Sequence, residues 1–184
     1  QKASWHLDQP LNHPNSLGLM FLAEHASKHV KVLLSGEGAD EVLGGYARYY
    51  YAMLRPWVKP FANGLQRVNP HITSRFGKRL GGAEDPVSNF VMATAFLDQE
   101  HAKQLRPEFN LESVLSTRRS LFLEGKSHNH IANCLKYDMR TYMVDLLIRQ
   151  DKMTMAFSIE NRVPLLDHEW IEFVRRNLAV SQLV

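Results

Sequence analysis

A serine, two glycines and three carboxylates follow one another closely in the first quarter of the chain. Residues 35–41 read Ser-Gly-Glu-Gly-Ala-Asp-Glu. Glycine lets a backbone approach a ligand closely, and a serine hydroxyl can donate a hydrogen bond to an oxyanion. Mg²⁺ binds one or two protein carboxylates and otherwise keeps waters and nucleotide phosphate oxygens. These residue types therefore favour a phosphate ligand near Ser35 and Gly36, with Asp40 holding the metal.

The same segment also suits a purely structural interpretation. Asp40 would then cap the helix that follows, and Glu37 would be a solvated loop residue. The pair Gly44-Gly45 would mark close packing only. Spacing alone leaves both interpretations open.

A second group of charged residues lies at 149–156, which reads Arg-Gln-Asp-Lys-Met-Thr-Met-Ala. Arg149 and Lys152 are three residues apart and so share one helix face. Two cations suit a polyphosphate, and Lys152 could stabilise the charge that develops on a leaving pyrophosphate. Taken alone, however, the segment favours a solvated helix face on which Asp151 is the local ion-pair partner.

A third motif, Glu-Asn-Arg-Val-Pro-Leu-Leu-Asp at 160–167, predicts a tight turn. Val163 precedes a proline, so its backbone must be extended. We expect Arg162 and Asp167 to form an ion pair that pins this turn, and we expect no catalytic role for either residue.

The elements that position these motifs follow from local patterns. Ser16 is predicted to cap a helix that ends near His29, and residues 30–34 form a short β-branched strand. The glycine-rich turn then leads into a helix from about Asp40 to Leu54. This order is half of a parallel α/β unit, in which ligands bind at the carboxyl ends of the strands.

The rest of the chain has a helical pattern. Apolar spacing predicts a helix over 111–122, one longer helix through 135–147 and another around Trp170, with a loop at 77–86. No second strand is predicted. Because a lone strand makes no sheet, either strands escape the pattern or the remaining sheet lies outside this chain, and we favour the second explanation.

Composition restricts the class of protein. The 184 residues are 45% hydrophobic and 22% charged, as in ordinary globular domains. A net charge of +3 is too small to predict nucleic-acid binding, and the longest apolar stretch, 17–23, is too short to span a membrane. The single cysteine, Cys134, cannot form an internal disulfide, which favours a reducing compartment, the cytoplasm.

Taken together, residues 34–46 and 151–167 closely resemble the synthetase domain of glutamine-hydrolysing (B-type) asparagine synthetases. The lead-in Asp-Gln-Pro-Leu at 8–11 is also similar to that family. The resemblance covers nearly the whole chain and is weakest over 57–110. It implies an α/β fold, part of an adenine-nucleotide-α-hydrolase-like (PP-loop ATP pyrophosphatase) domain that is helix-rich and has few parallel strands.

The resemblance implies an ATP-dependent amide synthesis in asparagine biosynthesis. The aspartate carboxylate attacks the α-phosphate of Mg-ATP, giving an acyl-adenylate and pyrophosphate, and ammonia from glutamine then displaces AMP. By this resemblance, Ser35 and Gly36 would contact the nucleotide, and Asp40 would hold Mg²⁺. Glu37 would act on the incoming amine. Lys152 would stabilise the phosphorus and the pyrophosphate, and Arg149 would assist at the nucleotide.

Two parts of the family pattern are missing from the sequence. The loop Ser-Gly-Gly-x-Asp-Ser, which cradles ATP phosphates, does not occur, nor does the amino-terminal glutaminase domain with its cysteine nucleophile. The first residue is Gln1, not methionine. We therefore expect residues 1–184 to be the carboxyl-terminal part of a larger synthetase. The part alone should have neither glutaminase activity nor competent ATP binding.

Two other functions are compatible with these motifs. A related amidotransferase would act on a sugar, a peptide or another carboxylate. A non-catalytic helical module would bind a partner and keep the motifs as structural turns.

Overall fold

The structure is a computed structural model that describes residues 1–11, 13–55, 57, 85–93, 99–125 and 127–178. Most of the loop predicted at 77–86 lies outside these residues. The described elements, in chain order, are α1 (Lys2–Leu7), α2 (Asn15–Ala26), β1 (Val32–Leu34), α3 (Ala39–Leu43), α4 (47–55), α5 (Pro86–Ala93), α6 (Gln99–Leu105), α7 (Leu111–Leu123), α8 (His130–Arg140), α9 (Tyr142–Met155), β2 (Glu160–Arg162), a 3-10 turn (Pro164–Leu166) and α10 (His168–Asn177).

The chain divides into two compact units. Within the described residues, the first unit comprises 1–43 and 138–178, and the second comprises 44–137. All six residues that the sequence nominates for chemistry belong to the first unit.

The core of the first unit lies where α9 packs on α1 and α2. Its buried residues are Ala3, Leu7, Met20 and Met153. Removing these apolar side chains from water stabilises the helix packing by roughly 1.5–3 kcal/mol for each fully buried methionine or leucine. The packing fixes α9, which carries Arg149 and Lys152, against the end of α1.

The sheet of the first unit has two parallel strands. Val32 pairs with Glu160, Leu33 with Asn161 and Leu34 with Arg162. The strand predicted at 30–34 is therefore present, although shorter. The expectation that every partner strand lies outside the chain is wrong, because β2 is a short polar segment, Glu-Asn-Arg, without the apolar residues that mark a buried parallel strand.

Two predicted helix boundaries are also wrong. The helix expected from Asp40 to Leu54 is broken into α3 and α4, because Gly44 has a φ of 77° and cannot continue a right-handed helix. The long helix expected through 135–147 is two helices, since Thr141 leaves the helical region with φ −123° and ψ −73°. Apolar spacing continues across both breaks, so periodicity alone does not reveal them.

The first turn of α2 also differs from the expectation. Pro14 occupies the N-cap position, and Ser16 lies buried inside the helix. Pro14 favours the start of the helix, because its fixed φ is already helical.

The second unit is held by a cluster of buried aromatic rings. Phe90 stacks on Tyr49 with centroids 6.0 Å apart, and Phe122 and Tyr137 lie 5.8 Å from one another. Cys134 is buried in the same cluster. None of the helices in the described ranges is long and apolar enough to cross a membrane.

Candidate active site

The loop at 35–38 lies at the carboxyl end of β1. The backbone N–H of Ser35 donates to the carbonyl of Arg162 at 3.0 Å, which extends the pairing with β2 by one residue. The N–H of Val42 donates to the carbonyl of Gly38 at 2.9 Å, so the loop also begins α3. Both ends are thus anchored by backbone hydrogen bonds, and the loop occupies the position where open α/β sheets bind ligands.

Gly38 is required by this loop. Its φ is 90°, a conformation that other residues adopt only with strain. A Cβ added at this position would collide with the side chain of Leu166 in the 3-10 turn after β2. The close contact between loop and turn therefore depends on the absence of a side chain.

We expect Gly38→Ala to lower the free energy of unfolding by about 1–3 kcal/mol, because the new methyl group adds backbone strain and displaces Leu166. Gly36→Ala is the matched control, since a Cβ at Gly36 meets nothing within 4 Å. That control should change the free energy by less than about 0.5 kcal/mol. Urea denaturation of the chain measures both values. Equal stability of the two variants would contradict the packing described.

Glu37 lies in an acidic cluster beside one cation. Burial raises the pKa of Glu37 because it disfavours the carboxylate, while the positive charge of Arg149 opposes this rise. The neighbouring carboxylates of Glu41 and Asp40 raise the pKa further. Glu37 is therefore a carboxyl group that ionises less readily than an exposed glutamate.

Arg149 is buried in the inner face of α9, with only 5% of its surface exposed. The expectation of a solvated helix face is therefore wrong for this residue. Its Nε and Nη1 atoms have no hydrogen-bond partner in the described residues, and the same holds for the buried hydroxyl of Ser35. A buried guanidinium is costly unless an anion or acceptor satisfies it, so both groups are suited to an anionic ligand.

Lys152 forms its hydrogen bonds with the end of α1. Its Nζ donates to the carbonyl of Leu7 at 3.2 Å and to Oδ2 of Asp8 at 2.5 Å. The local ion pair with Asp151 that the helix spacing suggested is thus wrong, because the partner comes from the end of α1. The hydrogen bond from Lys152 and its charge lower the pKa of Asp8.

The ion pair expected between Arg162 and Asp167 does not form either. Arg162 Nε donates to Oε1 of Glu160 at 2.8 Å. Asp167 is the N-cap of α10 and accepts from the backbone N–H of Glu169 at 2.9 Å. Asp167 therefore fixes the start of a helix, where its negative charge is also favourable.

The structure brings some of the nominated residues together and not others. Asp40 and Arg149 both lie close enough to Glu37 to influence its charge. Lys152 is held by Asp8 instead. Asp8 and Glu41 are not among the residues predicted from the sequence, although Asp8 lies in the lead-in motif and Glu41 in the acidic run.

The described side chains could supply only some of the ligands that a metal ion needs. The described residues contain no group of three or more His, Cys, Asp or Glu side chains arranged to hold an ion. Mg²⁺ does not need such a group, since one carboxylate with waters and phosphate oxygens is sufficient. Asp40 is exposed in the first turn of α3 and fits that requirement.

A glycine-containing loop at the end of a parallel strand, with a buried arginine near its glutamate, is typical of an α/β protein. The family profile that matches is asparagine synthase, over residues 1–182. The chain therefore belongs to the asparagine synthase family.

Named relatives agree with this assignment. "Asparagine synthetase [glutamine-hydrolyzing] 1" of Bacillus subtilis is 36% identical over 90% of this chain and 28% of its own length. "Putative asparagine synthetase [glutamine-hydrolyzing]" of Mycobacterium tuberculosis is 34% identical over 90% of this chain and 27% of its own length. The chain thus spans little more than a quarter of these relatives. No solved structure matches it significantly.

Proposed function

We propose that this chain forms part of an ATP-dependent carbon–nitrogen ligase. The full reaction would convert aspartate, ATP and glutamine-derived ammonia into asparagine, AMP and pyrophosphate. The observation that carries the proposal is the proximity of a partly buried Glu37, at the carboxyl end of β1, to the buried guanidinium of Arg149, two of whose nitrogen atoms have no hydrogen-bond partner. Membership of the asparagine synthase family supports this choice of reaction over other uses of an anion site.

The anionic ligand would lie against the loop after β1. Gly36 would allow the nucleotide or acyl-adenylate to approach the backbone, since nothing fills the space where its Cβ would be. The unsatisfied hydroxyl of Ser35 and the guanidinium of Arg149 would donate to it. Asp40 would hold Mg²⁺, which when bound neutralises phosphate charge.

Glu37 would act on the nucleophile. Ammonium must lose a proton before its nitrogen can attack the acyl-adenylate carbonyl, and a nearby carboxylate can accept that proton. A general base works best when its pKa is near the operating pH, so the upward shift of the pKa of Glu37 favours this role. The positive charge of Arg149 opposes the effect of burial and favours the carboxylate form of Glu37.

Lys152 would stabilise the phosphorus centre and the departing pyrophosphate. Its ammonium group has three N–H donors, of which Leu7 and Asp8 take two. The third remains for a phosphate oxygen. The phosphate-binding loop and the glutaminase domain would come from the rest of a longer chain, in which residues 1–184 are the carboxyl-terminal part of the synthetase domain.

A product assay on the full-length protein that contains this chain tests the proposal. We expect AMP and pyrophosphate to appear from ATP only when Mg²⁺, ammonium or glutamine, and an acid are all present, with aspartate as the best acid in a panel that includes sugar and peptide carboxylates. Residues 1–184 alone should release no AMP. Formation of ADP and phosphate, or turnover that does not depend on any acid, would contradict the proposal.

A further inference from the structure

We infer that Asp8 is a positioning residue for Lys152, acting on the reaction through the lysine ammonium and not through the substrate. The inference rests on the proposed function, because it explains how Lys152 is positioned for that reaction. Asp8 lies 144 positions from Lys152 in the sequence.

Two consecutive residues of one turn hold the ammonium. Leu7 offers its backbone carbonyl at 3.2 Å and Asp8 its carboxylate at 2.5 Å. Two acceptors from one short segment fix the direction of the remaining N–H, which a single acceptor would leave free to rotate. The lysine side chain is only 32% exposed.

The segment that holds Lys152 is anchored in the core of the first unit. Leu7 is buried in the core with Ala3, Met20 and Met153. Asp8 closes α1 in the left-handed conformation, with φ 58°, and its N–H donates to the carbonyl of Trp5. Aspartate and asparagine adopt that conformation more readily than other side chains except glycine. Aspartate at this position therefore both adopts the left-handed backbone conformation and supplies the negative charge that pairs with Lys152.

The ion pair of Asp8 and Lys152 lies at the surface. The Asp8 side chain is 78% exposed, and a pair between exposed charges contributes little to stability. The pair instead joins a buried helix end to the helix that carries Arg149. Its effect is therefore expected on the placement of the ammonium more than on the free energy of unfolding.

A double-mutant cycle on the full-length protein tests the inference. We expect Lys152→Ala to lower kcat by about 10²–10³-fold, as for the loss of one preorganised charge-stabilising group. Asp8→Asn keeps a residue that tolerates the left-handed backbone but removes the charge, and should lower kcat by about tenfold. The double variant should be no slower than Lys152→Ala, because Asp8 acts only through the lysine.

Stability measurements separate positioning from folding. The denaturation midpoint of Asp8→Asn should stay close to that of the unmodified protein. Glu172→Ala, which removes the exposed partner of Arg176 on α10, is the matched control and should leave kcat unchanged. A loss of kcat in Asp8→Asn at an unchanged midpoint supports the inference, since a merely structural residue would alter the midpoint.

The outcomes distinguish the inference from the proposed function. If Asp8→Asn keeps full kcat while Lys152→Ala loses activity, the inference is wrong and the proposed function stands. If the two losses multiply in the double variant, Asp8 acts independently of Lys152 and the inference is again wrong. A change below threefold in Lys152→Ala, in a protein that passes the product assay, removes Lys152 from the mechanism and the inference with it.

Discussion

Replacing Glu37 by glutamine should lower ammonia-dependent synthesis in the full-length protein by about 10²–10⁴-fold, the usual contribution of a positioned general base. Glutamine has nearly the shape of glutamate but cannot accept a proton from ammonium. The same change should raise the free energy of unfolding at neutral pH, because burial opposes the charged form of Glu37 and glutamine carries no charge. Loss of activity and gain of stability are expected together.

The pH dependence of this gain follows from the direction of the pKa shift. The pKa of Glu37 is raised in the folded protein above its usual value of 4.5. The folded state therefore holds the proton more tightly than the unfolded state, and the stability this contributes is lost as the pH rises from that value through the folded pKa. The advantage of glutamine should grow over that interval and vanish at acidic pH.

Steady-state rates and urea denaturation at acidic and neutral pH measure both effects. Glu24→Gln, at an exposed position of α2, is the matched control and should change neither quantity. Full activity in Glu37→Gln would remove Glu37 from the role of base. A loss of stability at neutral pH would show that attraction to Arg149, and not burial, dominates the energetics of this carboxyl group.

The strand, glycine-rich turn and helix around this carboxyl group could be predicted because local signals determine them. The β-branched run before Ser35 and the glycines at 36 and 38 give the order of elements correctly. The second strand could not be predicted in this way. Residues 160–162 are polar, and they become a strand only because β1 offers its backbone groups for pairing.

The partners of the charged residues were less predictable than their helices. Helix spacing correctly places Arg149 and Lys152 on α9, but it does not say which side of the helix the core covers. Arg149 is buried, and Lys152 reaches the end of α1. Both outcomes depend on how distant segments pack, which local propensity does not encode.

The burial of Arg149 leads to the second prediction of large effect. Arg149→Met in the full-length protein should lower kcat by about 10²–10³-fold, because a fixed cation beside the anionic ligand is lost. Its free energy of unfolding should be unchanged or higher. Arg149 is 5% exposed and two of its nitrogen atoms have no hydrogen-bond partner, and replacing a poorly compensated buried charge by an apolar group of similar volume is often neutral or stabilising.

The pH profile of this variant identifies how the charge acts. The positive charge of Arg149 lowers the pKa of Glu37, so its removal should move the rising limb of the rate profile to higher pH. Arg175→Met, at an exposed position of α10, is the matched control. If Arg149→Met is strongly destabilised, the guanidinium stabilises the folded state. If it is stable but slow, with a shifted profile, the buried charge is retained for the ligand and for Glu37, since the folded chain gains nothing from it.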